Sequence, residues 1–169
     1  MLRTLIIAAV MVLATSAQAA PQPNKAVGPQ FFTGRWYEIA RSPNVGQRDC
    51  HSPTYEFAPR QNAGPRFTLT CRKGSPAGPA ERLNVSVRLP KGEDAARFKV
   101  TALGGVLSAD YVVLDLADDL TWAIMTTRTG DHVWLLARRP SLPMELRSSL
   151  VSRIGALGYD IRRLIYLTH

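Results

Sequence analysis

Two stretches near opposite ends of the chain decide the fold: Gly34-Arg35-Trp36-Tyr37-Glu38-Ile39-Ala40-Arg41 and Val133-Trp134-Leu135-Leu136-Ala137-Arg138. Each mixes aromatic and aliphatic residues with polar ones in the manner of a β-strand. They predict strands over 35–41 and 132–138, and further strand signals recur between them over 54–58, 66–72, 82–89, 96–103, 110–116 and 120–127. The connections carry turn residues, as in Asn62-Ala63-Gly64-Pro65, Gly74-Ser75-Pro76, Pro90-Lys91-Gly92 and Thr129-Gly130-Asp131. Such a run of short antiparallel strands fits an all-β, eight-stranded up-and-down barrel whose first and last strands close on each other. A barrel of that size holds either packed side chains or one small ligand.

The faces of the strands support closure. In 82–89, Leu83, Val85, Val87 and Leu89 fall on one side and Arg82, Asn84, Ser86 and Arg88 on the other. That is a sheet with one dry face and one wet face. Phe67 and Leu69, and then Phe98 and Val100, repeat the pattern. The last three strands are apolar on both faces, so something must cover them outside. A helix supplies the cover: Leu142, Leu146, Leu150, Ile154 and Leu157 recur at helical spacing. Ser141 is a candidate cap, Pro143 suits the first turn, and Gly158 is a stop. The stripe is expected to bury Trp122, Ile124 and Leu135, and a last short strand is expected over 162–168. The alternative fold, a β-sandwich, usually lacks such a late helix.

The first residues read as an address. Arg3 precedes an apolar run from Leu5 to Ala14, and Ala17-Gln18-Ala19 fits a small-residue cleavage site. Residues 1–19 are therefore expected to be an export signal, 20–30 an extended arm, and 31–169 one barrel domain. The expected location is the periplasm, with outer-membrane association or secretion as alternatives. The formal charge of the chain is +8, with arginines scattered along alternating strands rather than grouped. Nucleic-acid readers concentrate charge on one face, so no nucleic-acid partner is expected. A basic exterior does suit peripheral contact with anionic lipid. In an exported protein, Cys50 and Cys71 read as a disulfide. A catalytic thiol is the alternative.

These residues resemble the lipocalin family, and its bacterial branch in particular. Gly34-Arg35-Trp36-Tyr37 resembles the family's opening motif, and Phe31-Phe32-Thr33 resembles the turn that plugs the barrel base. Asp115, with the hairpin Ala117-Asp118-Asp119, is similar to the second conserved region. Arg138 is similar to the third region's arginine, which lies across the first-strand tryptophan. The phrases Tyr37-Glu38-Ile39-Ala40-Arg41 and Gly158-Tyr159-Asp160-Ile161 point to the bacterial branch. Bacterial members are often lipid-anchored through a cysteine at the cleavage site. Cys50 and Cys71 stand elsewhere, so that anchoring route is not expected.

The resemblance implies a container for a lipophilic small molecule such as a fatty acid or lysophospholipid, and gives Gly34, Trp36, Tyr37, Asp115 and Arg138 structural roles. Strand parity and the resemblance together predict the lining. The early strands contribute Glu38, Ala40, Tyr55, Phe57, Phe67 and Leu69. The middle ones add Val85, Val87, Phe98 and Val100, and the late ones Tyr111, Val113, Met125 and Trp134. Glu38, Tyr55 and Tyr111 are the polar groups that suit a headgroup. A partner-binding protein with a filled barrel is the first alternative, and an enzyme on the same scaffold the second. His51, His132 and His169 are scattered and show no catalytic or metal-ligand spacing, so no catalytic residue, cofactor or metal is expected. The oligomeric state stays open at this point.

Overall fold

The computed structural model describes residues 21–60, 63–92 and 94–169. The expected export signal lies outside them. The chain forms β1 (Gly34–Arg41), β2 (His51–Arg60), β3 (Ala63–Arg72), β4 (Ala80–Arg88), β5 (Arg97–Ala102), β6 (Leu107–Leu116), β7 (Trp122–Thr127) and β8 (Val133–Ala137). The helix α1 (Met144–Ala156) and the two-residue strand β9 (Ile165–Tyr166) follow. Each of β1 to β8 pairs antiparallel with its neighbour in that series, and β1 pairs with both β2 and β8, so the sheet closes. β9 adds to the far part of β1 through Ala40↔Tyr166 and Arg41↔Ile165.

The barrel has two ends of different character. A 3-10 turn over Pro29–Phe32 drives Phe31 and Phe32 into the base, where they meet Trp36 and Phe57. Gly34 leads this plug into β1 at φ 62, a left-handed conformation that a side chain makes costly. The Arg138 guanidinium lies 3.8 Å from the centre of the Trp36 ring. It donates to the carbonyls of Thr33 at 2.5 Å and Arg35 at 3.1 Å. The Trp36 indole N–H donates to the Phe31 carbonyl at 3.0 Å. Ring, cation and plug therefore form one closed base.

The arm before the plug is docked rather than free. Asn24 N–H bonds the Leu114 carbonyl at 3.0 Å, and Val27 is fully buried. Asp94 accepts the backbone N–H groups of Val27 and Ala96, and these bonds hold its carboxyl below the usual carboxylate range.

Helix α1 lies outside β6, β7, β8 and β1. Leu150 and Ile154 bury against Ile124, Leu135, Val112 and Leu114, with Trp122 packed at the edge. Arg153 pins the helix by an ion pair to buried Asp115, which is the role Asp115 has here. Two expectations change. Ser141 is not the cap, because the helix begins after Pro143, which occupies the cap position without a side-chain bond. The expected strand over 162–168 shrinks to Ile165–Tyr166, which alone reach the edge of β1, with a 3-10 turn at Ile161–Arg163 before it. Cys50 and Cys71 form the disulfide, tying the loop after β1 to the end of β3.

Candidate functional site

Above the base the barrel encloses a cavity of about 650 Å³. Side chains that alternate inward on each strand make its wall. Tyr55 and Phe57 come from β2, Phe67 and Leu69 from β3, Val85 from β4, and Phe98 and Val100 from β5. Tyr111, Met125 and Trp134 complete it from β6, β7 and β8. These ten are residues that strand parity named. The barrel is therefore not filled by its own side chains.

Four named residues lie elsewhere. Ala40 does not face the interior: a bulge between Glu38 and Ala40 reverses the parity of β1, and Ala40 packs in the cluster under the helix. Val87 and Val113 point inward but are buried in the packed interior without lining the cavity. Glu38 is buried behind the wall, where its own neighbours use its oxygens.

That arrangement is a polar knot set in an apolar wall. After the bulge, Arg41 turns inward and donates to Glu38 at 2.7 Å. It also donates to the carbonyls of Gln47 at 2.7 Å and Cys50 at 3.1 Å. Gln47 Nε2 donates to Glu38 at 2.9 Å, and the Tyr55 hydroxyl donates to the same carboxylate oxygen. Gln47 Oε1 accepts from the Trp134 indole at 2.9 Å and from Asn44 at 2.8 Å. The knot fixes the loop Pro43–Gln47 across one side of the opening. Burial pushes the Tyr55 hydroxyl well above its ordinary value, with the Glu38 carboxylate adding to the effect. Tyr111 is raised by the same two causes in the same order. Both hydroxyls are neutral donors over the physiological range.

Glu38 and Tyr55 are bonded to each other and to their neighbours in the knot, while Arg41 Nε is buried with no hydrogen-bond partner among the described residues. The wall's polar groups left over sit on β6 to β8 near the opening. His132 lines the cavity, and its Nδ1 is buried with no hydrogen-bond partner among the described residues. Ser108 and Tyr111 line the same side.

Sequence reasoning missed the whole lining segment Pro43–Gln47, as well as Leu83, Ala102, Leu107, Ser108, Ala109, Thr127, His132 and Leu136. Leu83 was legible from the alternation of its strand. The loop had no periodic signal that could place it.

The comparisons with known proteins agree with this architecture. The model of the lipocalin-like domain matches residues 29–169. The outer membrane lipoprotein Blc of Vibrio cholerae is 24% identical over 80% of this chain and 79% of its own length. The Blc protein of Escherichia coli K12 is 23% identical over 95% and 91%. Temperature-induced lipocalin-1 of Arabidopsis thaliana is 24% identical over 83% and 78%. Among solved structures, insecticyanin from the tobacco hornworm Manduca sexta superposes with a TM-score of 0.68 at 14% identity, covering 88% of this chain and 84% of that one. Lobster apocrustacyanin A1 gives 0.65 at 14% identity, covering 89% and 91%. With the closed barrel, the plugged base and a family model spanning nearly all the described residues, the chain belongs to the lipocalin family, whose fold and relatives support the binding of a small hydrophobic ligand.

Proposed function

We propose that this protein carries a single-chain lipid, a fatty acid or lysophospholipid, in the bacterial cell envelope. The observation that carries the reading is the apolar cavity of about 650 Å³ above a sealed base. That volume falls within the range of small-molecule sites, ~300–1,000 Å³. Its deeper wall is Phe57, Phe67, Val85 and Phe98, which suits an acyl tail. Each methylene buried there contributes about 0.8 kcal/mol, so a tail of ten gives roughly 8 kcal/mol before the cost of ordering it. The polar head would sit at the opening, beside Tyr111, Ser108 and the unpartnered His132 nitrogen. Binding is the activity that a largely apolar wall of this kind supports.

The envelope location rests on the export-type sequence at 1–19 and on relatives named outer membrane lipoproteins. Fractionation of cells producing the full chain tests it: recovery in the cytoplasm would overturn that part.

Displacement of an environment-sensitive fluorescent fatty acid tests the ligand. Saturable binding is expected, displaced by fatty acids or lysophospholipids and abolished in Val100→Trp, which fills the cavity. Failure of every lipid tested, or binding unchanged in that variant, would overturn the reading.

A further inference from the structure

The barrel opens through four loops. They follow β1, β3, β5 and β7, because the antiparallel strands alternate in direction. Two of these loops carry apolar side chains into solvent. Val45, after β1, is 82% exposed. After β5, Leu103 is 60%, Val106 83% and Leu107 49% exposed. The segment Leu103-Gly104-Gly105-Val106-Leu107 has no polar side chain. Exposed single apolar residues are ordinary, but a run of them at a loop tip is not.

Both tips are held rather than loose. Leu103, Gly104 and Gly105 stand in succession at φ 49, 66 and 96. Leucine rarely adopts that left-handed conformation, and here its side chain is turned to solvent. Val45 begins a 3-10 turn capped by the Asn44 side chain on Gln47 N–H, and Gln47 is itself tied into the Glu38 knot.

Position around the ring decides what these tips are for. The loop between β1 and β2 and the loop between β5 and β6 lie half a turn apart in the closed sheet. They therefore stand on opposite sides of the opening. Val45 and Leu107 also line the cavity, so the apolar surface runs unbroken from tips to interior. The two remaining loops at this end carry cations: Lys73, 3.2 Å from Glu81, and Arg128, 3.6 Å from Asp110. Arg48 adds to them, and Asp49 and Asp131 offset part of the charge. The chain as a whole is +8, which draws it to an anionic surface.

We propose that the open end docks mouth-down on an anionic lipid bilayer, with Val45 inserting on one side of the opening and Leu103, Val106 and Leu107 on the other. A lipophilic molecule would then pass between bilayer and cavity without crossing water. A second copy of the chain fits this surface less well. Four side chains expose on the order of 400 Å², against the ~800 Å² per partner that a stable protein interface buries. The proposal builds on the carrier reading, but docking and cargo binding are separate measurements.

The test is flotation of the purified protein with vesicles of phosphatidylethanolamine and phosphatidylglycerol. The double variant Leu103→Asn with Val106→Ser removes two tips that do not line the cavity, and asparagine tolerates the left-handed backbone. Its vesicle partitioning is expected to fall roughly tenfold, with fluorescent fatty-acid binding in solution kept. A tryptophan placed as Val106→Trp is expected to shift to the blue on vesicles and to be quenched by shallow lipid-borne quenchers. The cavity-filling Val100→Trp should lose fatty acid yet still float, which separates failure of docking from failure of the carrier reading. Unchanged flotation of the double variant would overturn the proposal. So would an unquenched Val106→Trp, or a concentration-dependent dimer that the double variant abolishes.

Discussion

Removing the positive half of the buried Glu38–Arg41 pair is the most informative perturbation of the wall. In Arg41→Met the stem keeps its packing while the guanidinium is lost. Glu38, fully buried, would retain its bonds from Gln47 and Tyr55 but lose the one cation paired with it among the described residues. The carbonyls of Gln47 and Cys50 would lose their Arg41 donor as well. Breaking one side of a buried pair costs about 3–5 kcal/mol, a large share of the ~5–15 kcal/mol that holds a domain folded. Replacing both, as Glu38→Leu with Arg41→Met, removes the stranded charge. Apart from the two carbonyls, which lose their donor in either variant, what then remains is the lost acceptor for Tyr55 and Gln47, about 1–3 kcal/mol. The double variant should therefore be more stable than the single one. Urea unfolding followed by tryptophan fluorescence checks this, with equal slopes required for the comparison. A loss under about 1 kcal/mol for Arg41→Met, or a double variant weaker than the single, would refute the buried-charge argument.

Trp36→Ala should cost about 3–5 kcal/mol in denaturant midpoint while fatty-acid binding under native conditions persists, because the ring belongs to the base and not to the cavity. Lost binding with unchanged stability would contradict that assignment. The protein should weaken at alkaline pH. Unfolded, Tyr55 releases its proton near 10.0, whereas the folded chain holds it to higher pH. Above that value the unfolded state binds fewer protons, so stability falls as pH rises, and Tyr55→Phe should flatten the fall in melting temperature. Replacing both Cys50 and Cys71 by serine should cost roughly 3 kcal/mol in urea unfolding, since the bond closes a loop in the unfolded chain.

Much of the wall was legible because an amphipathic strand repeats every two residues. Val85, Phe67, Phe98 and Tyr111 could be assigned a side without knowing their neighbours. Ala40 could not. A bulge inserts one residue relative to the partner strand, so it depends on how β1 meets β8 rather than on β1 alone. The same bulge turns Arg41 inward, which strand parity placed outside. Loop Pro43–Gln47 carries no period, and its place over the cavity follows from Gln47 reaching Glu38, Tyr55 and Trp134 across the barrel.

The sequence by itself determined the strand order, the covering helix, the closing tryptophan and arginine, and the disulfide. Strand order and helix follow from local periodicity and turn chemistry, the disulfide from cysteine number in an exported chain, and the tryptophan–arginine closure from the resemblance to the lipocalin family. Tertiary structure alone decided that the barrel is hollow, that Glu38 is spent on Arg41 instead of a ligand, and that apolar tips face each other across the mouth. Each of these depends on distances between residues far apart in the chain, which closure of the sheet sets and local pattern does not contain.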